Sequence, residues 1–182
     1  MARLPKLSRD HMTLEQQRVY DDIAGGPRGG VRGPFHALLY SAPLADAAQK
    51  LGQYVRYDCS IPQKLRELAI LITAYHWKAQ YEWFAHETHA RDAGLSDSVI
   101  EAIRQGEHPA FEDTAEAEIY EFCTELYDTK RISDATFAKI EARHGRVGAV
   151  ELGGLIGYYN LIAITLNVGN IPVPGGVKPF AE

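Results

Sequence analysis

At 182 residues the chain is long enough for one domain with a real core and too short for two full ones. Its 46% hydrophobic and 24% charged residues suit an ordinary soluble globular protein, and a net charge of −5 without dense Lys/Arg clustering excludes a nucleic-acid surface. Cys59 and Cys123 lack metal-type or redox-type spacing and read as inert reduced thiols, which points to a cytoplasmic protein.

In chain order, the first residues show no signal-peptide pattern. Thr13 with Gln16 three later is a capping box before a helix to about Ala24. The glycine-rich stretch 25–33 is expected to be a loop, with Pro34 opening the next helix. It has neither Gly-x-Gly-x-x-Gly nor Gly-Lys-Ser/Thr, so no phosphate cradle is expected, although Arg28 and Arg32 could meet an anionic substrate. Ser41 and Pro43 start a helix through Val55, and Ser60 and Pro62 start a third, nearly all-apolar run. A break near Lys78-Ala79 precedes a helix ending at Gly94, and Ser96 caps a short one ending at Gly106. Asp113 or Thr114 caps a longer helix, and Ser133 caps one stopped by Gly145. The last helix starts near Val147 and carries Gly153, Gly154 and Gly157. Glu151, Asn160, Thr165 and Asn167 make it a core helix rather than a membrane span. The segment 171–182 reads as an irregular tail. No strand alternation, repeat or linker interrupts the pattern, so residues 1–182 are expected to form one all-α, single-domain multi-helix bundle of about nine helices.

The chemistry concentrates in residues 60–95. Glu82, His86 and His89 share one face of their helix at 3.6 residues per turn, and Glu67 sits alone among Leu65, Leu68, Ala69, Ile70, Leu71 and Ile72. A carboxylate so placed must be paired or have a raised pKa. Lys64, Arg66 or another arginine could neutralise it structurally, or it could relay protons to the histidine. Glu82 and His86 could be a solvated ion pair, but Tyr81, Trp83, Phe84 and Ala85 leave them little access to water. Glu-x-x-x-His-x-x-His is a weak metal pattern without a further ligand cluster, and no metal is expected. Of the other histidines, His36, His76, His108 and His144 read as surface or capping residues.

The run from Arg66 to Gly94 resembles the carboxymuconolactone decarboxylase family, whose fold is shared with the alkylhydroperoxidase D-like proteins. The stretches Gly157-Tyr158-Tyr159-Asn160 and 167–174 resemble its long members. In the peroxidase branch the motif is Glu, eleven residues, Cys, two residues, Cys, three residues, His. Glu67 and His86 match its ends, while Ala79 and Glu82 stand where the two cysteines would be. A dithiol peroxidase cycle therefore has no thiols at this site. The decarboxylase branch resembles Glu-x-x-x-His, which Glu82 and His86 reproduce.

The resemblance implies a cofactor-free lyase or isomerase of aromatic catabolism acting on a small unsaturated lactone or carbonyl acid. His86 would transfer the proton, Glu82 would tune and orient it, Glu67 would act as relay or second acid, and His89 would contact substrate. It also implies a homo-oligomer, trimer or hexamer, with a dimer as a further possibility. The alternatives are a peroxidase-related protein lacking the redox cysteine pair and a non-catalytic helical oligomer.

Overall fold

The computed structural model describes residues 2–180; Met1 and the last two residues of the expected tail lie outside the described residues. Among these residues there is no strand. Eight α-helices follow one another: α1 Leu14–Gly25, α2 Pro34–Leu38, α3 Ala42–Gln53, α4 Gln63–His76, α5 Gln80–Asp92, α6 Asp97–Gln105, α7 Thr114–Thr129 and α8 Asp134–Gly169. The chain is all-α, as its cap and period signals require. The ninth expected helix is the second half of α8, set off from the first by Gly145 at φ 69°, ψ 177°.

The caps explain where these helices begin. Thr13 accepts a hydrogen bond from the Gln16 amide at 3.2 Å, and the Gln16 side chain accepts one from the Thr13 amide at 2.9 Å. Ser96, Asp113 and Ser133 likewise accept amide hydrogen bonds at the starts of α6, α7 and α8. Gly106 ends α6 in the left-handed conformation at φ 77°.

No residue pattern signals the turn that follows α3. Tyr54–Asp58 wind as a π-helical turn, and the inserted residue rotates Arg56 relative to α3.

Helix α4 is the hub, packed against α5, α6, α7 and α8. Its buried residues run without a gap from Glu67 to Ala74, so no side of it is left to water. Helix α5 returns beside it after a tight turn in which Lys78 takes φ 48° and its ammonium sits over the Tyr75 ring at 3.3 Å. The tail is pinned despite its irregularity. Gln80 exchanges two hydrogen bonds with the Phe180 backbone, and the buried Phe180 ring meets Trp83 edge-on at 5.1 Å.

Helix α8 is long and apolar enough to cross a membrane on length and composition. However, 56% of its most apolar window is buried inside the protein, the pattern of a core helix rather than a lipid-facing one.

One backbone position ties the glycine-rich loop to the site. Gly33 has φ 52°, and a Cβ there would overlap the Tyr81 ring. We expect Gly33→Ala to destabilise the protein by about 1–3 kcal/mol through left-handed strain and this clash, read as a lower midpoint in thermal denaturation. An unchanged midpoint would show that the loop does not rely on Gly33.

Candidate active site

The sequence places Glu67 and His86 on adjacent antiparallel helices, and the fold brings them together. His86 Nδ1 lies 2.7 Å from Glu67 Oε2, with Glu67 4% and His86 6% exposed. Two of the structural alternatives for Glu67 are engaged elsewhere, and the third, another arginine, survives only as the electrostatic influence of Arg56. Lys64 pairs with Asp113 at 2.8 Å and Glu116 at 2.7 Å, and Arg66 donates to the Cys59 carbonyl at 3.3 Å.

The expected partnership of Glu82 with His86 is corrected here. Both Glu82 carboxyl oxygens are buried without any hydrogen-bond partner. Four-residue spacing puts the two side chains on one face, but the approach of α4 decides which acid meets the imidazole.

The electrostatics divide the two acids. Burial works against charge on Glu67, but the His86 imidazole and Arg56 outweigh it and hold its carboxyl below the usual range. Burial dominates at His86 and lowers it, against the pull of Glu67. The consistent state of the pair is a Glu67 carboxylate accepting Nδ1–H from a neutral imidazole. This fixes the tautomer that leaves Nε2 unprotonated. Glu82 has no such partner, and burial alone drives it well above the ordinary carboxyl value. Burial thus favours its protonated, neutral form, the form able to donate a proton.

Glu82 and His86 open onto one cavity of about 420 Å³, which is also lined by His89 from α5, Tyr158 and Tyr159 from α8, and Arg28, Arg32 and Arg56, while Glu67 stands behind His86 and does not line it. Tyr159 meets the His86 ring edge-on at 5.0 Å, and burial pushes its phenol well above the usual value. Arg28 donates to the Tyr158 hydroxyl at 3.2 Å, rests 4.6 Å over the Phe35 ring and leaves its Nε buried without a partner.

His89 lies at the rim, exposed, with its ring 5.8 Å from that of His86. Phe84, expected to screen the acid-base pair from water, instead points outward at 36% exposure. The screen comes from Tyr81, Tyr158 and Tyr159. No group of three or more potential metal ligands converges among the described residues. Both cysteines are buried and free, and Ala79, at the first cysteine position of the peroxidase motif, is fully buried.

No family model matches the chain, and no curated protein matches it. The functional argument therefore rests on the site's own chemistry.

Three contributors escaped sequence reading. Arg56 is delivered by the π-helical turn, which has no periodic signature. Tyr158 and Tyr159 look like core residues of an apolar helix until the cavity beside them is seen. A weak signal existed, because adjacent tyrosines in an otherwise aliphatic helix bring hydroxyls that need partners.

Proposed function

We propose that this chain is a cofactor-free lyase or isomerase of the carboxymuconolactone decarboxylase type, moving a proton at a carbon conjugated to a carbonyl in a small anionic lactone or keto acid. The observation that carries the reading is one cavity lined both by an acid that burial holds toward its neutral form, Glu82, and by a carboxylate-oriented imidazole, His86, with three arginines. A base whose pKa burial lowers and an acid whose pKa burial raises, in one cavity, are the equipment of proton transfer.

In the decarboxylation, the bond between the ring carbon and the carboxylate breaks and carbon dioxide leaves. The electron pair spreads to the carbonyl as a dienolate, which the arginines and tyrosines stabilise. Glu82 delivers the proton to carbon and is reprotonated through His86, while Glu67 holds the imidazole. In the isomerisation, His86 Nε2 removes a proton and Glu82 supplies one elsewhere on the same conjugated system. His89 and the arginines at the mouth contact the substrate's anionic group.

Two buried reduced thiols fit a reducing cytoplasm. A panel of unsaturated lactones and keto acids, followed by carbon dioxide release and ultraviolet absorbance, tests the reading. Turnover of one of them supports it, and none across the panel would leave a helical scaffold without chemistry.

The peroxidase-related alternative makes a separate expectation. The Cys59→Ser, Cys123→Ser double variant should match the parent, and neither should reduce hydroperoxides with a dithiol above background. Thiol-dependent turnover lost in the double variant would favour that alternative.

A further inference from the structure

Beyond the Tyr81 wall of the active-site cavity lies a second cavity, of about 400 Å³, within the size range of small-molecule pockets. It is enclosed by the N-terminal segment, the loop before α2, α2 itself, the start of α5 and the residues after α8. Arg32 and Tyr81 line both cavities, so the two share a wall. Gly33, at φ 52°, lets the loop press against the Tyr81 ring and holds that wall in place.

The rim of this outer cavity is fastened. The Arg3 and Leu4 amides donate to the Gly169 carbonyl at 2.8 and 3.4 Å, and the Arg3 guanidinium donates to the Val168 carbonyl at 3.2 Å. The Tyr40 hydroxyl donates to the Pro5 carbonyl at 2.9 Å. The N-terminal segment is therefore a wall of the cavity rather than a loose tail.

Four polar side chains line the cavity without a use inside the chain. Lys6, Arg32, His36 and Tyr81 make no side-chain hydrogen bond or ion pair among the described residues. No Asp or Glu among the described residues lines the cavity either. Elsewhere in this chain of net charge −5 even exposed cations meet acids, as Arg9 meets Asp21 and Lys139 meets Glu121, each at 2.6 Å. The uncompensated positive field is felt at His36, whose imidazole is lowered by burial and by Lys6. Leu4, Ile171 and Pro172 give the same cavity an apolar side.

We propose that this outer cavity is a binding site for a small carboxylate with an apolar body. Lys6, Arg32 and the Tyr81 hydroxyl meet the carboxylate, and Leu4, Ile171 and Pro172 meet the body. The planar fork of an arginine matches the two oxygens of a carboxylate, and a lysine adds a compact charge. A bare inorganic anion would lose hydration against the apolar side and gain nothing from it. Glu82 and His86 do not line this cavity, so its occupant stands beside the proposed reaction rather than in it.

An NMR titration of the full chain with sodium benzoate tests the proposal, with benzamide as the uncharged counterpart and inorganic phosphate as the bare anion. Benzoate should bind in roughly the millimolar range and about tenfold more tightly than either control. Lys6 is exposed and lines only the outer cavity, so Lys6→Ala should keep the fold and weaken benzoate about fivefold, with Lys6→Arg restoring it. Arg56 lines only the inner cavity, and Arg56→Ala should leave this binding unchanged. The His36 imidazole should titrate at higher pH with benzoate bound, because the carboxylate favours its charged form. Absence of saturable binding, equal binding of benzamide or phosphate, or binding lost in Arg56→Ala and kept in Lys6→Ala would each overturn the inference. None of these readouts depends on turnover, so failure of the lactone and keto acid panel and failure of this site are separate results.

Discussion

Replacing His86 with Gln should lower kcat/KM about 10³-fold on any substrate found in the lactone and keto acid panel, with the thermal midpoint nearly unchanged. A positioned general base contributes roughly 10²–10⁴-fold, and His86 is the one base in the cavity held both neutral and oriented. The fold should tolerate the change because a Gln amide can still donate to Glu67 Oε2, so the buried carboxylate keeps a partner. The pH profile of the parent follows from the same pair. Burial lowers the imidazole, so kcat/KM should hold as pH falls past the ordinary imidazole value of 6.5 and drop only in more acid solution.

Glu67→Gln separates positioning from stability. If Glu67 acts through His86, the variant should lose about 10²-fold in kcat and shift the acid limb of the profile, while KM stays near that of the parent. A large fall in thermal midpoint with kcat retained would make Glu67 a structural counter-charge instead. Full activity in His86→Gln would remove the imidazole from the mechanism.

These roles were only partly legible in the sequence. The helices were, because Thr13, Ser96, Asp113 and Ser133 are strong caps and Gly94, Gly106 and Gly145 are strong stops. The buried run around Glu67 announced that a lone carboxylate had to be reconciled with an apolar helix, and it is. What one-dimensional spacing cannot supply is the pairing across helices. Glu82 and His86 share a face of α5, but a face is wide, and α4 brings Glu67 onto the imidazole before Glu82 can reach it. Arg56 was hidden for a different reason: a single π-helical turn changes its direction without changing any residue pattern.

Glu82→Gln should abolish most turnover, by about 10²–10³-fold, and at the same time stabilise the protein at neutral and alkaline pH. Both halves come from one cause. Glu82 is completely enclosed with neither oxygen bonded, so burial raises its folded pKa well above the 4.5 of an ordinary glutamate. Below pH 4.5 the folded and unfolded chains both carry the proton, and Glu82 costs nothing extra. As pH rises from there toward the folded pKa, the unfolded chain releases its proton while the folded chain keeps it. The folded state binds more protons, so its stability falls with pH across this window, by up to about 1.4 kcal/mol per pH unit. A glutamine never titrates and removes that slope. The parent and variant midpoints should therefore coincide near pH 4 and diverge by pH 8, with the variant higher; calorimetry at both pH values decides it. A variant that melts lower at pH 8 would mean Glu82 is ionised in the folded protein and neutralised by one of the cavity's arginines, and the proton donor would have to be sought elsewhere. The conserved volume of the glutamine keeps cavity formation out of the comparison, so a gain in stability joined to a loss of turnover marks a group held in an unfavourable state for the sake of its proton.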